Sequence, residues 1–373
     1  MSELLPDSAR GVFLQGQINQ QLVDQITPRV IELQFQPGNK PITVFIDSPG
    51  GDPVLGMRLL ELMRAPKAGS TTGHTLIACI TGRAASAAAD FAIQSNYSYI
   101  APGAVMLCHG TSQGAAGSVN AQTAEYLANA LRRTNERYAR DLALAAFPRL
   151  LIRFFSTGGK ELNDFINDPA KGLPGLVTLL QNRLLSDQLY DLTKRALGRQ
   201  EAIRNLSAKV SAELARKKAS PKRIDHEFAI IRTVLNEKLK TARATKSSLA
   251  HGGIDAVVAD FQLLHDYYFG SLNHTTRNWV SQYGVMFLKP DEAQYYQSTT
   301  FNDDAAKAEW LMQTAGPRLR QLWYFSVSVA RLLQEEDFEF GAHDAYWLGL
   351  VDEVIGENLP SLRLFMQSNQ PSS

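Results

Sequence analysis

The run TVFIDSPGGDP, residues 43–53, leaves the chain few ways to fold. Thr43, Val44, Phe45 and Ile46 suit a buried strand, because β-branched and aromatic side chains fit a pleated sheet covered on both faces. The run stops at Asp47. Asp52 has the side chain of a helix cap, and Pro53 after it is pre-organised for the first helical position. Strand, tight loop and helix follow. Pro49-Gly50-Gly51 supplies backbone angles that a β-carbon forbids and leaves the amides of the helix start unshielded. Taken alone it reads as a turn; it is also a loop that can hold an anion.

A strand feeding a helix through a short loop is the unit of α/β layering, and the pattern recurs. GVFLQG, TVFI, TLIACI, SYIA and AVMLCH are short β-like runs broken by glycine and proline, with helices expected from near Gln20, Pro53 and Ser86. The charge is nearly balanced, with 38 Lys and Arg against 37 Asp and Glu, which gives no reason to expect nucleic acid or an anionic membrane as a partner. No apolar run is long enough for a membrane span, and MSELLPDSARG lacks the apolar core of a signal peptide, so the cytoplasm is the expected location. Cys79 and Cys108 lie in apolar runs and are expected to be buried thiols rather than a disulfide.

From Val119 to Phe147 the pattern becomes helical, with Tyr126, Leu127, Ala130, Leu131, Tyr138 and Leu142 at three- and four-residue spacings and Pro148 as the expected end. Residues 150–334 read as successive helices separated at Pro174, Gly198, Pro221, Gly252-Gly253 and Pro290. The basic stretch from Lys194 to Arg223 is expected to be a solvated helix face, with contact to an acidic partner as the alternative. Aromatic groups around Tyr267, Tyr295 and Trp323 are expected to pack between helices. His74, His226, His251, His265, His274 and His343 lack metal-site spacing, and the Gly158-Gly159 and Gly252-Gly253 pairs lack the context of a phosphate loop. No metal and no cofactor is expected. Past Gln334, DFEFGAHDAYWLGLVDEVIG has a β-like start, a helix through Tyr346 and an apolar ending, as in a return to the first layer.

Two further stretches carry chemistry. In TLIACITGRAASAAADFAI a strand runs into Thr81-Gly82, and alanines then carry a helix from near Ser86. A serine there is commonly only a cap, but its hydroxyl also sits beside helix-start amides that favour developing negative charge. In PGAVMLCHGTSQG an apolar strand ends in His109 before glycines. A lone histidine is commonly a structural hydrogen-bonder, whereas a serine becomes a nucleophile when a histidine takes its proton and a carboxylate fixes the ring.

At these residues the chain resembles the ClpP-like (caseinolytic Clp) serine peptidases of the ClpP/crotonase superfamily. RGVFLQGQINQQLVDQI is similar to the family's first strand and helix, IDSPGGDPVLGM to its glycine loop, GRAASAAAD to its serine motif and VMLCHG to its histidine strand. EEDFEFGAHDAYWLGLVDEVI resembles the segment from the catalytic aspartate to a closing turn. The resemblance implies a spiral of ββα units with a large, mostly α-helical insertion. Its parts would be an α/β head over 1–118, a handle-like helix over 119–148, the insertion over 149–334 and a return to the head over 335–373. It implies Ser86 as nucleophile, His109 as general base, Asp337 as orienting acid, with Glu335, Glu336, Glu339 and Asp344 as the alternatives for that acid, and the amides of Gly51 and Ala87 as oxyanion hole.

The implied activity is cleavage of peptides or unfolded protein segments through an acyl-enzyme, within a self-compartmentalising homo-oligomer, with an AAA+ unfoldase or adaptor as the implied partner. Glu336 stands where the family has a basic residue before the aspartate, and only about ten residues precede the first strand, fewer than the family's pore-lining segment needs. Alternatives are a catalytically silent ClpP-like scaffold, whose helical part binds another protein, and a crotonase-like acyl-CoA enzyme indifferent to loss of Ser86.

Overall fold

The computed structural model describes residues 4–36, 38, 40–66, 73–110, 121–216, 279–361 and 363. Pro221, Gly252-Gly253, Tyr267, His226, His251, His265, His274, the 118/119 boundary and the end of the basic stretch lie outside the described residues. The chain divides into two compact units. The first comprises Met1–Asp164, Pro174–Lys194 and Val329–Ser373; the second comprises Phe165–Leu173 and Arg195–Ser328.

The first unit is an α/β structure built on a sheet of seven strands. These are β1 (Gly11–Gln15), β2 (Ile42–Ser48), β3 (Leu76–Ala85), β4 (Tyr97–Ile100), β5 (Val105–Leu107), β6 (Phe340–Gly341) and β7 (Glu353–Val354). Five lie in the order β1-β2-β3-β4-β7. β3 is long enough to serve two partners. Its first half pairs in parallel with β4, Ile77 opposite Tyr97, and its second half with β5, Arg83 opposite Val105. TLIACI therefore does not end at Thr81-Gly82 but runs on to Ala85, because Ala84 and Ala85 find ladder partners in Met106 and Leu107. Ile42, Val44 and Ile46 are wholly buried, as in a strand covered on both faces.

Helices α1 (Gln20–Phe35), α2 (Pro53–Arg64) and α3 (Ala87–Gln94) alternate with these strands. Asp52 caps α2, accepting from the amides of Val54 and Leu55, with Pro53 at its head. The next helix, α4, spans Ala121–Thr157 and passes through Pro148. One proline removes one hydrogen bond. Phe147, Leu150, Leu151 and Phe154 around it are buried, and that packing outweighs the lost bond. For the same reason α6 (Pro169–Gln181) contains Pro174 and α7 (Asp187–Arg216) contains Gly198, where the sequence pattern places breaks; α5 (Gly159–Asn167) precedes them.

The return of the chain completes the sheet. β6 pairs antiparallel with β5, and β7 pairs in parallel with β4. A buried ion pair fastens this return. Arg149 of α4 donates through Nε to Asp352 at 2.9 Å, and its remaining nitrogens donate to the carbonyls of Ile93, Ser95 and Leu350. Asp352 also accepts from the Ser98 amide and hydroxyl. Both partners are buried, and the Arg149 nitrogens and Asp352 Oδ2 are engaged, the condition under which an internal charge pair is tolerated. Cys79 and Cys108 are free and buried.

In the second unit, α8 (Pro290–Ser298), α9 (Asp304–Thr314) and α10 (Gly316–Glu335, shared with the first unit) follow in order. Arg318 makes paired bonds to Glu292 at 2.6 and 2.8 Å and also reaches the Phe287 carbonyl. Trp323 is buried against Trp279, with ring centroids 4.6 Å apart. Tyr295, by contrast, is not core: it is 49% exposed, and α8 buries none of its residues. Helical periodicity marks a face; it does not say whether another element covers it.

Candidate active site

Gly50 and Ser86 meet at the carboxyl ends of β2 and β3. A β-carbon on Gly50 would lie 2.4 Å from the Ala85 carbonyl oxygen and 2.7 Å from the Ser86 β-carbon, and Gly50 has φ of +89°. Only glycine lets the two loops approach so closely. Gly51, at φ +147°, is packed the same way against Ile18. Ile18 donates to the Gly50 carbonyl at 2.7 Å, and Asp52 donates to the Ile18 carbonyl at 2.8 Å. In this one-residue parallel bridge the middle residue, Gly51, turns its own N–H away from Ile18.

Ser86 stands at the head of α3 with φ 55° and ψ −127°, alone among the described non-glycine residues in having positive φ. Such a conformation costs on the order of 1–3 kcal/mol and persists only where the surroundings hold it. Its amide donates to the Leu107 carbonyl at 2.9 Å, and its carbonyl accepts from Asp90 in the first helical turn. Its hydroxyl caps nothing. The cap alternative for Ser86 is therefore not what the side chain does. The amide of Ala87, the first residue of α3, is one of the helix-start donors that no intrahelical carbonyl can reach. Gly50→Ala should lower stability by about 1–3 kcal/mol and slow serine-directed labelling about a hundredfold, because it displaces the Ser86 turn. Urea unfolding and labelling kinetics on the same samples check both.

His109 follows β5 directly. Its Nδ1 lies 2.8 Å from the Gly110 carbonyl oxygen, so Nδ1 is the donor in this contact. The next peptide is fixed in turn. Gly110 donates to the Gln334 carbonyl at 2.8 Å, and a β-carbon on it would come within 2.6 Å of the Asn135 side-chain nitrogen. Asp337 lies on the exposed stretch between α10 and β6. Among the described contacts no hydrogen bond joins Ser86, His109 and Asp337. Close by, Glu339 pairs with Arg83 of β3 at 2.6 Å.

Two neighbours escape a reading of motifs. Desolvation pushes the Asp90 carboxyl up to about 7, and Asp141 on α4 adds to the shift. Burial raises the Cys108 thiol, with Asp90 adding, so this thiol beside His109 has no thiolate character. The alanine-rich run that marks α3 does not show what faces Asp90. His74 meets the Lys40 carbonyl, and His343 accepts from the Trp347 indole; both imidazoles serve structure.

A strand-loop-helix glycine turn set against a strained serine, with a histidine at the end of the neighbouring strand, now has a counterpart among known proteins. The family model described as Clp protease matches residues 2–145. That stretch, less than half of the chain's length, is similar to Clp protease. A Clp protease proteolytic subunit of Leuconostoc citreum, named as ATP-dependent, is 29% identical over 147 residues, which cover 39% of this chain and 70% of that protein. The ATP-dependent Clp protease proteolytic subunit 2 of Treponema denticola is 34% identical over 61 residues, 16% of this chain and 30% of that protein. Gly51, Ser86, Ala87 and His109 fall inside the matched stretch, and Asp337 falls outside it.

Proposed function

We propose that this chain is a serine endopeptidase that cleaves peptides or unfolded protein segments through an acyl-enzyme. The observation that carries the proposal is the strained Ser86 turn, its hydroxyl free of any capping bond and backed by a glycine loop. Ser86 Oγ attacks the scissile carbonyl carbon while His109 Nε2 accepts its proton. The oxyanion is received by the amides of Gly51 and Ala87. Collapse breaks the C–N bond, His109 returns the proton to the leaving amine, and water then releases the acyl group by the same steps. Asp337 is the orienting acid in this proposal, taking the Nδ1–H that Gly110 accepts in the chain described above.

The relatives are named as proteolytic subunits of an ATP-dependent protease, which supports a homo-oligomer working with an AAA+ unfoldase or adaptor. Among the described residues no helix is long and apolar enough to cross a membrane. The cytoplasm is the proposed place of work.

The contact between His109 and Gly110 favours a second reading, a catalytically silent scaffold. One experiment separates them. The full chain, in each oligomeric form resolved by native mass spectrometry, is treated with a fluorophosphonate and mapped by peptide sequencing. An adduct on Ser86 is expected; no adduct in any form, or one elsewhere, overturns the peptidase reading.

A further inference from the structure

We propose that a surface aromatic cluster in the second unit, Tyr295, Tyr296, Phe301 and Trp310, is a docking site for an extended polypeptide segment bearing lysine or arginine. The inference does not rest on the serine chemistry. Tyr295 and Tyr296 both stack on Trp310, with centroids 5.3 and 5.8 Å apart and ring planes within 30° of parallel, and Phe301 closes the group at 5.9 and 6.0 Å from Tyr296 and Trp310. Four rings gathered in this way normally form a core. Here none of the four is buried. Tyr295 is exposed and Tyr296, Phe301 and Trp310 are half-buried, so the rings pack on one another as a platform that stays in part open to solvent.

The chemistry of the occupant follows from what surrounds the platform. Lys307 already holds its ammonium 4.8 Å from the centre of the Tyr296 ring, so this cluster takes a cation on a ring face. Asp291 lies one helical turn before Tyr295; Asp303, about two turns before Trp310 and near its face, caps α9 by accepting from the Ala306 amide, and Asp304 adds a further carboxylate in the first turn of that helix. All three are exposed. Glu292 is occupied by Arg318, and Lys307 is the sole basic residue between Pro290 and Trp310. An aromatic platform rimmed by carboxylates suits a guanidinium or ammonium that stacks on a ring and pairs with an acid, carried on a segment whose apolar side chains cover the rest. An acidic segment would be repelled.

The molecule carries its own reporter. Of its four tryptophans, Trp279, Trp323 and Trp347 are buried, at 7%, 2% and 3% exposure, and Trp310 is not. The full chain bearing Ser86→Ala, which suppresses cleavage of the probe under the proposed function, is titrated with an unstructured peptide alternating arginine with leucine and serine, and with the same peptide carrying glutamate for arginine. The arginine peptide should bind saturably and protect the indole fluorescence from acrylamide, and Trp310→Phe should remove the protected component. Tyr295→Ala and Asp291→Lys should each weaken binding, read by calorimetry, about tenfold or more. Both positions are exposed, and circular dichroism checks that each variant is folded. Equal affinity for the two peptides, affinity unchanged in both variants, or a Trp310 already shielded by self-association without peptide overturns the proposal.

Discussion

His109→Ala should cut peptide hydrolysis by on the order of a millionfold, and Ser86→Ala by about as much, with the double variant no worse than either. The two groups act as one unit: without the base the hydroxyl remains a poor nucleophile, and without the hydroxyl the base has nothing to activate. Residual turnover of roughly a thousandfold over water should survive, since main-chain donors and substrate binding do not depend on either side chain. Asp337→Asn belongs in the same series. If the Gly110 carbonyl alone sets the His109 tautomer, this variant keeps most of its activity; if the carboxylate takes over that role, it loses on the order of ten-thousandfold. Rates are compared at matched oligomeric state, because assembly shifts apparent stability and activity by mass action.

The second large effect concerns stability. Arg149→Met removes the cation that faces Asp352 and leaves a carboxylate that is 3% exposed among strands and helices. Breaking one side of a buried pair costs about 3–5 kcal/mol, because the remaining charge stays desolvated. The first unfolding transition in urea should move to lower denaturant by that amount. The double variant Arg149→Met with Asp352→Asn should recover part of it, since both charges of the pair are then removed, although buried Arg153 loses the Asp352 charge as well; the Ser98 amide and hydroxyl still have an oxygen acceptor. A double variant as unstable as the single one would mean that Arg149 acts through its four oxygen partners rather than through charge.

Much of the first unit was legible because glycine and proline mark backbone geometry directly. Pro53 and Asp52 announce α2, and the pair Gly50-Gly51 announces a close approach that the structure puts against Ala85, Ser86 and Ile18. Ser86 stood out by its neighbours, but its positive φ did not, since backbone strain is set by the Leu107 and Gly50 contacts and not by local preference. The fate of His109 Nδ1 was likewise invisible: it depends on how Gly110 is held by Gln334, a residue far along the chain. Pro148, Pro174 and Gly198 misled because a break signal reports one missing bond or a local entropy term, whereas burial of a whole helix face decides. Tyr295 misled for the opposite reason. Its spacing is that of a packed face, and no described element covers it.

The sheet's last partners arrive late. Ser98 and Asp352 are 254 positions apart, and the pairing of β5 with β6 spans a similar stretch. At ribosomal speeds of about 5–20 residues per second, roughly ten to fifty seconds separate synthesis of the serine and histidine strands from synthesis of the segment that borders them. During that interval β4 and β5 each present an unpaired edge, a template for pairing with other chains. A nascent molecule must therefore be shielded until the segment that carries β6 and β7 has been made.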